Sequence, residues 1–113
     1  MDQWLKDQAL QYDLESLRRS LVKHDENIAS LNEAVALQEQ VIADEQRMLN
    51  TISARPATGA NYKLIEIDSI RLTESIAGHH SEIDIFVEEI NSEKERRRDT
   101  EQMVMYLEAR AGE

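Results

Sequence analysis

Leu14, Leu21, Ile28, Val35, Ile42 and Leu49 stand seven residues apart, and every one of them is aliphatic. Between Asp2 and Ser53 the chain has neither Gly nor Pro to interrupt a helix. An unbroken series of apolar a positions is a heptad repeat, which commits this half of the chain to one long helix. The helix must bury a narrow stripe against another helix. The matching d positions are Leu10, Leu17, His24, Leu31, Gln38, Glu45 and Ile52, so the stripe carries three polar interruptions.

Asp2 is placed to cap the start of this helix, and Pro56 disfavours helical geometry at Arg55, so residues 2–53 are expected to be helical. The stretch ARPATGA, residues 54–60, joins the only Pro to a Gly and reads as a connection. A second helix is expected over 61–111, capped by Thr58 or Asn61. Its a positions are Tyr62, Ser69, Ile76, Ile83, Ile90, Arg97 and Val104; its d positions are Ile65, Leu72, His79, Phe86, Glu93, Thr100 and Leu107. A glycine inside a helix costs about 1 kcal/mol relative to alanine, so a break near Gly78, giving three helices, is the alternative.

Folding back at the connection sets each a position of the first helix against a d position of the second. Leu49 then meets Ile65, Ile42 meets Leu72 and Ile28 meets Phe86. The fold class this predicts is all-α: one antiparallel helical-hairpin domain spanning 1–113, a coiled coil with arms about 75 Å long at 1.5 Å per residue. A parallel homodimer of the first helix would instead oppose Glu45 to Glu45. Flanking charges do not support the pairing uniformly, since it sets Arg18 beside Lys94.

In this expected register Leu14, Leu17 and Leu21 face Thr100, Arg97 and Glu93. Each leucine is worth roughly 1.5–3 kcal/mol when fully buried, so their burial is expected to be completed by another chain, with Arg96 and Arg97 at its border. Outside the seam, Ala34, Val41 and Met48 widen the first helix's stripe, and Leu64, Ile67, Ile70, Ile85 and Val87 stand on other faces of the second. A helix apolar on several faces is buried on several faces. Hairpins assembling into a four-helix or larger bundle, most simply a homodimer, follow as the expectation. Trp4, Tyr12 and Tyr106 fall near the open end of the hairpin and are candidates for a partner site, because aromatic residues anchor interfaces.

Charge and composition narrow the function classes. The net charge is -10, with ten acids against five bases in residues 1–53 and thirteen against eight in 54–113. Such a surface repels phosphate backbones, and the segment NSEKERRRDTEQ, residues 91–102, balances its three consecutive arginines and one lysine with four acids. No direct nucleic-acid binding is expected. Without cysteine there are no disulfides or thiolate ligands. The opening MDQWLKDQAL has no apolar signal core and no run is long enough to span a membrane, so a cytoplasmic protein is expected, in the host cytoplasm if phage-encoded.

His24, His79 and His80 do not stand three residues after an Asp or Glu on the last two, as the helical diiron signature requires, and neighbouring histidines on a helix diverge by about 100°. Neither metal nor another cofactor is expected. Consecutive carboxylates such as Glu88 and Glu89 do not converge on one substrate atom, and there is no glycine-rich phosphate loop. The sequence therefore points to a non-enzymatic interaction protein: an oligomerising acidic adaptor or chaperone-like subunit that binds itself and a further protein. A small acidic inhibitor, of the kind phages use against host defence, covering a nucleic-acid-binding surface of a host protein is the alternative; a metal-binding helical protein is third. Length and a single central turn are similar to those of the secreted Trp-x-Gly hairpins. Their motif is absent, however: ARPATGA lacks Trp, and Trp4 is followed by Leu5 and Lys6.

Overall fold

The computed structural model describes residues 2–56 and 58–112. Two helices account for nearly all of them, α1 over Asp2–Ser53 and α2 over Tyr62–Ala111, packed as an antiparallel hairpin. No strand is present among the described residues. α2 runs unbroken through Gly78, so the three-helix alternative does not form.

Both ends of the connection are closed by local hydrogen bonds. At the end of α1 the Ala54 amide donates to the Asn50 carbonyl at 3.1 Å, and Arg55 donates to Ile52 at 3.2 Å. That shift from an i−4 to an i−3 acceptor tightens the last turn before Pro56, which has no amide proton to continue it. Thr58 and Asn61 cap α2 together rather than as alternatives. The amide and hydroxyl of Thr58 both donate to Asn61 Oδ1, at 2.8 and 2.9 Å, while the Thr58 carbonyl accepts the Tyr62 amide at 3.0 Å. Only the return half of a capping box forms: the Asn61 side chain reaches back to the Thr58 amide, while the Asn61 amide donates to the Thr58 carbonyl at 3.2 Å rather than to its hydroxyl.

The chain divides into two compact units: residues 1–31 with 89–113, and residues 32–88. The first unit holds the core. Leu14, Ile90 and Val104 are buried there, Leu14 with 2% of its surface exposed, and Glu93 is buried beside them. In the second unit no described side chain reaches full burial.

The register differs from the one the aliphatic pattern suggests. Within the first unit, Glu93 contacts His24 and Asn27 instead of Leu21, and Arg97 contacts Asp25 instead of Leu17. Within the second, His79 contacts Gln38 instead of Val35, and Glu45 contacts Ser75 and His79 instead of Ser69. Both sets amount to a slip of about one heptad, which keeps every a position against a d position while changing each partner. Arg18, expected beside Lys94, pairs instead with Glu108 at 3.0 Å. Leu14, Leu17 and Leu21 therefore do not face Thr100, Arg97 and Glu93. Leu14 is buried within the single chain and does not need a second chain to cover it.

Candidate functional site

The polar interruptions of the two heptad patterns meet one another. In the first unit Glu93, a seam position, accepts three hydrogen bonds. His24 donates from Nδ1 to Oε1, Asn27 donates to the same oxygen at 3.2 Å, and Arg96 donates to Oε2 at 2.9 Å from one turn along α2. The carboxyl is only 7% exposed, yet its pKa is lowered from the ordinary value. The His24 hydrogen bond is the main cause and that of Asn27 the next, and together with Arg96 they outweigh the burial that pushes the other way. Desolvating a carboxylate is costly unless its lone pairs are filled, and here they are.

Around this carboxylate Arg97 and Thr100 of the same segment are engaged as well. Arg97 donates from Nε to Asp25 at 2.6 Å and from Nη1 to Glu101 at 2.9 Å, and Asp25 is the chief reason its guanidinium pKa is raised. Thr100 Oγ1 lies 3.5 Å from His24 Nε2 and donates its own proton to the Arg96 carbonyl at 2.9 Å. NSEKERRRDTEQ thus supplies the α2 half of a polar layer whose α1 half is His24, Asp25 and Asn27. It is not a gap in the core.

Thr100, His24 and Glu93 follow the hydroxyl–imidazole–carboxylate order of a hydrolase triad. The geometry differs from that of such a triad in two ways. The hydroxyl proton is directed to a backbone carbonyl rather than to the imidazole, and these residues lie inside helices, where the backbone amides are engaged in i−4 bonds. What the trio does is fix the His24 ring on both sides.

A second layer lies in residues 32–88. His79 donates from Nδ1 to Gln38 Oε1 at 2.5 Å and turns Nε2 toward Glu45 Oε1 at 3.5 Å; Ser75 donates to that same Glu45 oxygen at 2.8 Å. Glu45 Oε2 is enclosed without a hydrogen-bond partner, which makes this layer less completely satisfied than the first. His80, one residue on, is exposed. Among the described residues no group of three His, Asp or Glu is arranged to hold a metal ion, and no helix is long and apolar enough to cross a membrane.

Other candidate residues are placed as follows. Ile67, Ile70 and Ile85 are 45–56% exposed on α2. Leu17 is half-buried and lines a shallow groove with Met103, Tyr106 and Leu107, while Leu21 is half-buried elsewhere on α1. Tyr106 is exposed and carries Arg110 over its ring, 5.9 Å from the centroid. Trp4 and Tyr12 are equally exposed but take no part in that groove. His24–Glu93 pairing escaped the sequence reading because it depends on the register; the signal that pointed to it was the unfavourable Arg18–Lys94 flank. No family model matches this chain, and neither a curated protein nor a solved structure is similar to it.

Proposed function

We propose that this chain is a non-enzymatic assembly protein, a helical hairpin that associates with itself and presents charged outer faces to a further protein as an adaptor or chaperone-like subunit. The observation that carries this reading is the incomplete core of residues 32–88. No described side chain there is buried, while Leu37, Leu64, Ile67, Ile70 and Ile85 each leave 45% or more of their surface in water. Aliphatic side chains left exposed on several faces of a helix favour burial against further helices. Two helices touching along a single seam cannot cover side chains on their outer faces, whereas four helices can.

Assembly is favoured over catalysis by the way the polar residues are used. Those in the seam are bound to one another across the helices, and none converges with a second group on an open cavity. Sedimentation equilibrium of the full chain between about 1 and 100 μM is the direct test. A mass of two or more chains is expected; a monomer throughout that range would overturn the proposal.

A further inference from the structure

His79 of α2 and Glu45 of α1 meet in a layer that pairs one base with one acid. The ring donates from Nδ1 to Gln38 Oε1 at 2.5 Å and presents Nε2 to Glu45 Oε1 at 3.5 Å. Gln38 and Glu45 are successive d positions of α1, so the imidazole bridges two layers of the opposite helix. Both of its nitrogens face oxygens that accept protons. A neutral imidazole has one N–H and one lone pair, whereas an imidazolium has two N–H groups. In this arrangement only the charged ring is satisfied on both sides.

The carboxylate depends on that charge. Glu45 has a side chain only 18% exposed. Ser75 donates to Oε1, and Oε2 is enclosed with no partner. Among the described residues the only basic side chain paired with Glu45 is His79. Arg47, two positions along α1, is turned to Asp44 instead. The remaining charged or titratable side chains close in sequence, Glu39 and Asp44 on α1 and His80 and Glu82 on α2, are exposed. The layer around Glu93 is built differently. It receives Arg96 and Asn27 as well as His24, so it keeps a permanent cation whatever the state of the imidazole.

We propose that residues 32–88 carry a pH-sensitive latch: the hairpin closes there over a protonated His79 and loosens as pH rises through the range in which histidine loses its charge, about pH 5 to 8. Loss of the proton leaves the Glu45 carboxylate desolvated without a countercharge and turns the Nε2 lone pair toward its oxygen. No described side chain in this unit is fully buried, so little apolar packing offsets that cost. The sign follows from the proton balance. With His79 charged in the folded chain, the native state binds more protons wherever the unfolded ring is neutral, and stability falls as pH rises.

Urea unfolding of the full chain at about pH 5.5 and about pH 8 is the test. The folding equilibrium constant of the wild type is expected to fall about fivefold or more from the lower pH to the higher. Glu45→Gln removes the desolvated charge and supplies an amide that can donate to a neutral ring; His79→Gln removes the titrating group. Each is expected to reduce the fall to about twofold or less. His80→Gln, at an exposed neighbour, and His24→Gln, beside a carboxylate that retains Arg96, are expected to leave most of it in place. If His79→Gln does not fold, Glu45→Gln still decides, because it replaces one oxygen by a nitrogen. A wild-type fall below about twofold, or an equal fall in wild type and Glu45→Gln, would overturn the latch. Disappearance of the fall in His24→Gln, with His79 intact, would also overturn it by moving the sensitive group out of residues 32–88.

Discussion

Glu93 of α2 accepts the Nδ1 proton of His24 of α1, and this contact between two seam positions ties the register of the first unit to a charge-assisted hydrogen bond. Aliphatic layers alone would tolerate a slip of one heptad, since a seven-residue repeat offers leucine or isoleucine to leucine or isoleucine at either setting. A slip here would move Glu93 and Arg97 against Leu21 and Leu17, leaving buried polar groups unpartnered at about 1–3 kcal/mol each. A few polar residues at seam positions fix pairing at some cost in stability, and this seam does so in both of its units.

Replacing His24 by Leu is expected to destabilise the hairpin by about 1–3 kcal/mol, because Glu93 loses its main donor while remaining buried. Replacing both His24 and Glu93 by Leu is expected to recover most of that loss, as apolar substitution of buried ion pairs commonly does. Urea unfolding of the wild type, of His24→Leu and Glu93→Leu singly and of the double variant measures the coupling. Additive losses would show that the two side chains do not act as a pair.

The register itself can be read by cross-linking, since the chain has no native cysteine. Leu17→Cys with Val104→Cys is expected to form an intramolecular disulfide under mild oxidation. Leu17→Cys with Arg97→Cys, which matches the aliphatic-only register, is expected to stay reduced. Mass spectrometry of the oxidised monomers distinguishes the two, and efficient closure of the Arg97 pair would reject the register described above.

Glu93 also predicts how acid acts on the fold. Its folded pKa is lowered, so its contribution is fully present above the unfolded carboxylate value, ~4.3, and is lost as pH falls through the lower folded value. The stability advantage of wild type over Glu93→Gln is therefore expected to be constant near pH 6 and to shrink below about pH 4. Equal slopes of stability against pH for the two proteins would show that this carboxylate is not linked to folding.

Leu14 is the most deeply buried side chain named in the core, and its burial belongs to one chain. Leu14→Ala is expected to cost about 2–5 kcal/mol, by the same amount at low and high protein concentration. Leu5→Ala, at a side chain 53% exposed, is expected to change stability by less than about 0.5 kcal/mol. Thermal unfolding at two concentrations checks both. A Leu14 effect that appeared only where the chain is oligomeric would return this residue to an interface between copies.

Much of the architecture is written in single residues. The absence of Gly and Pro from 2–53, the heptads, Pro56 and the Thr58–Asn61 pair determine two helices, their ends, a hairpin between them and the stripe each helix turns inward. These are local matters: periodicity, backbone chemistry and capping act over a few residues and do not depend on the partner. Which residue meets which was decided only in the tertiary structure. A seven-residue aliphatic pattern is unchanged by a seven-residue slip, and the connection is long enough to permit one. Long-range pairing of His24, Asp25 and Asn27 with Glu93 and Arg97, and of Gln38 and Glu45 with His79, breaks that degeneracy, because a desolvated polar group must find its partner while a leucine accepts any neighbour of its kind.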